Sequence, residues 1–211
     1  MITVRAITIA QAWRDAMQEL YSSGRAIEND EIFRDAAMAI EVADVTQDLF
    51  DDRFGMSKAQ VDVINHYLVT GEQEDQVAHD WTKLYRKRLF ASQPNQIQNI
   101  IEYLKEKPAG KRAQASVWNQ EVDLRGPIAP CLQLLWFQII DGKLDLHVHM
   151  RASDCYGKLL MNMNEFAALQ RYVAKELAVE AGQYTHFIDT CHFNTADSDN
   201  IEQLIKHLKT A

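Results

Sequence analysis

The chain has 211 residues, 22 Lys+Arg against 30 Asp+Glu for a formal net charge of −8, 47% apolar residues, and only 8 Gly and 4 Pro. That composition argues for one globular domain with a real core, and against a disordered tail or a stapled mini-protein. An acidic balance without a Lys/Arg block argues against a groove that tracks a nucleic-acid polymer, whose affinity rests on neutralised phosphates; a single small phosphate ligand stays open.

Residues 7–22 place Ile9, Ala12, Trp13, Met17, Leu20 and Tyr21 on one helical face, and Ser22-Ser23-Gly24 ends the helix. From 31 to 92 the chain is acidic and mostly helical in pattern. Within it Asp44, Asp48, Asp51 and Asp52 mark an irregular stretch, and Ser57 caps a helix that runs to Gly71. Residues 95–106 form another helix, closed by Lys107-Pro108-Ala109-Gly110, and RAQASVWN then alternates as a strand. Two β-rich runs joined by Asp141-Gly142 predict a hairpin that sets Cys131 and Arg151 at the same end. Residues 163–181 form a long helix stopped by Gly182, followed by a short strand YTHFID and a last polar helix over 198–210. No repeat or linker divides the chain.

Cys131, Cys155 and Cys191 form no CxxC pair and leave one over, which fits reduced thiols. The start carries Arg5 within its first apolar stretch and no clear cleavage-site pattern. No run reaches the ~18 apolar residues of a membrane span, so the expectation is a soluble cytoplasmic protein without a membrane partner.

A lone cysteine at a strand start fits a small buried hydrophobe. Pro130-Cys131 with an arginine returned toward it also fits a nucleophile, because a thiolate is favoured beside a guanidinium. The blocks NQIQNIIEYLKEKPAGKRAQASVWNQE, APCLQLLWF, MRASDCYGKLLMNMNEFAAL and GQYTHFIDTCHF resemble the thymidylate synthase family, in family order and spacing. They cover residues 95–195. Residues 1–94 match loosely, and the tail after 195 is shorter than in the classical enzymes.

The resemblance implies an α/β fold, a mixed sheet covered by helices, in a homodimer with shared active sites. It implies a pyrimidine nucleotide substrate and 5,10-methylenetetrahydrofolate, or a related tetrahydropterin, as cofactor. It assigns Cys131 the attack on C6 of the base and Arg151 the 5′-phosphate beside the thiol. Asp154 takes the pterin ring, Asn162 reads the pyrimidine edge, and His192 supports charge developing on the base. Asn162 by itself favours uracil, although its amide can flip. Lys111 and Arg112 stand where the family's paired arginines reach the partner's phosphate.

Three departures thin the contacts around phosphate and sugar: Lys111 in place of arginine, Ala152 in place of serine, and Asn194 in place of the tyrosine that binds the sugar 3′-hydroxyl. Lysine with alanine resembles the branch that hydroxymethylates CMP, and the expectation is a ribonucleotide substrate. The chain also stops about nineteen residues after His192, without the tail that closes classical synthases against water. Hydroxymethylation is therefore expected over methylation, with thymidylate synthesis from dUMP as the alternative and a non-catalytic nucleotide binder as a further one.

Asp145, His147 and His149 share a strand face, but the outer two are roughly 13 Å apart at about 3.3 Å per residue, too far for one metal. No metal site is expected. Trp118 matches a family tryptophan, Arg25 is a candidate N-terminal phosphate arginine, and Asp62 and Glu41 are weak candidates for the family's catalytic glutamate, whose region aligns poorly.

Overall fold

The computed structural model describes residues 1–209. In chain order these form β1 (Ile2–Ala6), α1 (Ile9–Ser23), β2 (Arg25–Ala26), β3 (Ile32–Val42), α2 (Lys58–Thr70), α3 (Asp80–Phe90), α4 (Gln96–Glu106), β4 (Gln114–Ser116), α5 (Gln120–Asp123), β5 (Leu132–Ile140), β6 (Lys143–Asp154), α6 (Leu159–Glu176), β7 (Glu180–Asn194) and α7 (Ser198–Leu208). The strands make one mixed sheet in the order β1-β3-β7-β6-β5-β4, with β2 paired to β3. β1 with β3 and β6 with β7 are parallel, and the other pairs are antiparallel.

Alternation fixes the two faces. Leu144, Leu146, Val148 and Met150 of β6 and Tyr184, His186 and Ile188 of β7 are buried with Trp13, Met17 and Leu20 of α1 and Phe166 of α6. The intervening positions turn the other way, where Trp136, His147, His149, Phe187 and Asp189 line a shallow cavity of about 660 Å³ and Phe187 stays 40% exposed.

Local signals act where the sequence places them. Thr8 accepts from the Gln11 N–H at the start of α1, and Ser57 with Gln60 forms a reciprocal capping box on α2. Asn95 caps α4. Asp141 and Gly142 have φ of 49° and 77°, the two positive values of a tight hairpin turn, and the predicted hairpin forms.

Four expectations are corrected. Residues 32–42, in the stretch expected to be helical, are β3. The run AAMA favours helix locally, but a strand buried between β1 and β7 shows a nearly continuous apolar run, and nine paired residues with β7 override propensity. The first residues, for which no element is predicted, form β1. The long helix covers 159–176 rather than 163–181 and ends through Ala178 in the left-handed region, φ 55°. Gly182 instead lies inside β7, where a Cβ would collide with the Asp145 carboxylate that accepts from the Gln183 N–H. β7 itself is not a short strand but the 15-residue centre of the sheet. The expected last helix is present as Ser198–Leu208, and residue 210 lies outside the described residues.

Candidate active site

Strand direction brings the site together. β6 and β7 are parallel, so their C-terminal ends meet, and β5 runs antiparallel to β6, so its start joins them. α6 leaves from the same end. Cys131, Arg151, Asp154, Asn162 and His192, spread over 62 positions of sequence, therefore sit at one end of the sheet.

The Arg151 backbone N–H donates to the Cys131 carbonyl at 2.9 Å. Its guanidinium donates from Nε to Pro130 O at 3.1 Å and from Nη2 to Ala129 O at 3.0 Å, leaving other N–H donors unengaged on an exposed side chain. Cys131 is half-buried. Burial pushes its thiol above the ordinary range and Arg151 lowers it by less, so the guanidinium alone does not yield the thiolate in the free protein.

Asp154 and His192 are register partners across β6 and β7. Asp154 Oδ1 accepts from the Tyr156 and Gly157 N–H groups at 3.1 and 3.0 Å, a turn that releases the chain into α6. Burial raises its carboxyl above the usual range, against the Gly157 N–H and His192, which lower it. His192 Nδ1 lies 3.3 Å from the Thr190 carbonyl, which makes that nitrogen the N–H tautomer and leaves Nε2 as an acceptor. Asn162 is 6% exposed, and among the described residues nothing hydrogen-bonds its side-chain amide. Its neighbour Asn164 is committed to the Leu49 and Leu160 carbonyls.

Other candidates lie elsewhere. Lys111 and Arg112 are exposed, and Lys111 O accepts from Trp136 Nε1 at the edge of the open sheet face. Trp136 is five residues along β5 from Cys131, about 17 Å at the usual strand rise, so the chain does not bring this pair to its own Cys131. Ala152 is half-buried beside Arg151, and Asn194 ends β7. Arg25 is paired with Asp35 at 2.8 Å. Asp62 pairs with Lys58 and Glu41 with Arg5, both on the surface and away from Cys131, which removes them as catalytic acids. His147 packs on Trp136 at 5.0 Å, and His149 pairs with Asp189 at 3.1 Å. Among the described residues no three His, Cys, Asp or Glu side chains converge on a metal position.

Two residues escaped the sequence reading. Tyr85 of α3 accepts from the Leu132 N–H at 3.3 Å, which sets its hydroxyl against the start of β5, next to Cys131. Glu165 of α6 is fully buried behind it. Tyr85 lies in the acidic, mostly helical stretch 31–92, where no motif marks it. An acidic residue amid MNEFAAL, on a helix with buried positions all round, was the available signal for Glu165.

Comparison with known proteins identifies the family and the fold. The family model described as thymidylate synthase matches residues 7–211. The chain is 28% identical over 209 residues to a Methanosarcina acetivorans protein named "Putative thymidylate synthase", covering 96% of this chain and 94% of that one. A protein of the same name from Methanocaldococcus jannaschii is 26% identical over 206 residues, covering 91% and 90%. The fold matches thermostable thymidylate synthase A from Bacillus subtilis with a TM-score of 0.76 at 15% identity, over 94% of this chain and 84% of that one. With Cys131, Arg151, Asp154, Asn162 and His192 gathered at one sheet end, the chain belongs to the thymidylate synthase family, enzymes that transfer one carbon to a pyrimidine nucleotide.

Proposed function

We propose that this enzyme transfers a one-carbon unit from 5,10-methylenetetrahydrofolate, or a related tetrahydropterin, to C5 of a pyrimidine 5′-monophosphate, with 5-hydroxymethylation of a ribonucleotide such as CMP or UMP as its outcome. The convergence of Cys131, Arg151, Asp154, Asn162 and His192 carries this reading.

Cys131 adds to C6 as thiolate, and the electron pair of the C5–C6 bond moves toward C4 and its substituent, so C5 becomes nucleophilic. Arg151, held by two carbonyls, keeps N–H donors for the phosphate, whose binding places a dianion where the guanidinium is already oriented. The uncommitted Asn162 amide offers a donor and an acceptor to the base edge. His192, with Nδ1 directed at the Thr190 carbonyl, leaves Nε2 to accept from a water that in turn donates to the oxygen where charge develops. When bound, methylenetetrahydrofolate supplies the carbon. Asp154 fits its ring chemistry, because one oxygen is spent on the turn and the other remains to accept from ring N–H groups.

The open sheet face supports a homodimer. It carries Trp136, His147 and the exposed Phe187, with Lys111-Arg112 at its edge, a placement compatible with their reaching a phosphate in a partner's site. Arg112→Ala is expected to weaken nucleotide binding by about 1.5–3 kcal/mol, the range for hydrogen bonds to charged groups. Mixed with Cys131→Ala, it should regain activity through hybrid dimers; subunit exchange without regained activity would remove the shared site.

Ala152 and Lys111 support ribose, since both shorten or simplify the contacts that would crowd a 2′-hydroxyl. Lys111→Arg with Ala152→Ser should move preference toward deoxyribose by roughly 5- to 30-fold in kcat/KM ratio, the worth of one neutral hydrogen bond or one clash. An unchanged ratio in an enzyme that already prefers deoxyribose would favour the second reading, methylation of dUMP, which the names of the relatives support. Product mass after incubation with methylenetetrahydrofolate and each of UMP, CMP, dUMP and dCMP tests base, sugar and outcome together.

A further inference from the structure

At Gln133, β5 breaks step with β6. Leu132 pairs with Met150 and Leu134 with His149, two steps along β5 against one along β6, so Gln133 is the extra residue of a β-bulge. The bulge leaves Leu132 and Leu135 both fully buried, where strict alternation would turn one of them to the open sheet face. The main chain of Gln133 is anchored on its other side, its carbonyl accepting from the Val117 and Trp118 N–H groups at 2.8 and 3.3 Å. Its side chain turns back along the strand, and Nε2 donates to Pro130 O at 3.2 Å and to Cys131 O at 3.3 Å. Both partners are acceptors, which fixes the amide with its nitrogen toward them.

Each of these carbonyls has a second donor, and both donors belong to Arg151: Nε reaches Pro130 O at 3.1 Å, and the backbone N–H reaches Cys131 O at 2.9 Å. The Leu132 N–H, in the peptide that follows Cys131, is taken by the Tyr85 hydroxyl at 3.3 Å. The peptide planes before and after the Cys131 Cα are therefore both clamped, and the sulfur keeps one soft torsion, χ1.

We propose that Gln133 is a positioning residue of the active site, whose carboxamide holds the two peptide groups flanking Cys131 in a fixed relation to Arg151. The inference rests on Cys131 as the nucleophile and Arg151 as the phosphate ligand. One nucleotide has to span both, with C6 at the sulfur while the 5′-phosphate sits on the guanidinium, and a misplacement of about 1 Å between them costs on the order of 100-fold in rate. Arg151 holds Pro130 O with the same guanidinium that takes the phosphate, so binding competes for it. Gln133 stands two residues from Cys131 on the same strand and keeps both carbonyls when that happens.

The test compares the wild type with Gln133→Met and Gln133→Glu in the full chain, using whichever of UMP, CMP, dUMP and dCMP the wild type turns over with methylenetetrahydrofolate. Met keeps the length of the side chain without a donor, and Glu keeps its shape with an acceptor in place of the donor. The kcat should fall roughly 10- to 100-fold in Gln133→Met, and further in Gln133→Glu, whose carboxylate meets two carbonyl oxygens. Nucleotide affinity by titration calorimetry should stay within about 3-fold, because a loss confined to the reacting geometry lowers kcat without removing ground-state contacts. Alkylation of Cys131 in Gln133→Met by iodoacetamide, a small reagent that needs no fixed orientation, should stay within about 3-fold of the wild-type rate. A kcat near that of the wild type in both variants would overturn the proposal. Parallel losses of kcat, affinity and urea midpoint would overturn it too, as would failure of both variants to fold, since these mark a merely structural role. Turnover retained in Cys131→Ala, or absent in the wild type with all four nucleotides, would instead overturn the roles of Cys131 and Arg151 on which the proposal stands.

Discussion

Cys131→Ala is expected to lower turnover by about 10⁴-fold or more, because covalent attack on C6 has no substitute when the sulfur is gone. Nucleotide affinity should stay within a few-fold. The Arg151 guanidinium is held by the Pro130 and Ala129 carbonyls and not by the thiol, and the Asn162 amide stands on a helix that the substitution does not touch. Steady-state kinetics with titration calorimetry for the nucleotide separates the two quantities. Retained turnover would take Cys131 out of the mechanism, and lost binding together with lost turnover would mean that the substitution disturbed the Pro130–Leu132 backbone.

The second large effect is on stability. Asp123, without side-chain exposure, receives Arg88 Nη1 and Nη2, the latter at 2.6 Å, and also the Asn119 N–H at 2.7 Å. Arg88 additionally donates to Val117 O. This network ties α3, which carries Tyr85, to the segment that enters β5 at Cys131. Asp123→Ala should cost about 3 kcal/mol in urea unfolding at neutral pH, since it leaves a largely buried guanidinium unpaired. The hydrogen bonds from Arg88 hold the Asp123 carboxyl below the usual range despite burial. Its contribution is therefore fully present above the ordinary carboxylate range and lost as pH falls through the lowered value. A wild type whose midpoint stays level through acid pH, with Asp123→Ala equally stable, would remove the network from the stability of this fold.

The hairpin at Asp141-Gly142, the caps at Ser57 and Asn95 and the helix face of Trp13, Met17 and Leu20 are determined by sequence alone, because backbone preference and period act within a few residues. The motif residues Cys131, Arg151, Asp154, Asn162 and His192 were legible for a related reason: three of them fall within twelve positions around the end of β6, and their types and spacing match a known family. β3 was not legible, since Ala36, Ala37 and Ala39 favour helix until β1 and β7 pair on either side of them. The role of Gly182 changed likewise, from helix stop to close approach beside Asp145. Tertiary structure alone decided that Tyr85 backs onto the start of β5, that Glu165 is buried without a cation, and that Asp62 and Glu41 are surface ion-pair partners. Burial and partnership depend on elements distant in sequence, and the desolvation that sets a carboxyl's charge state exists only once those elements have packed.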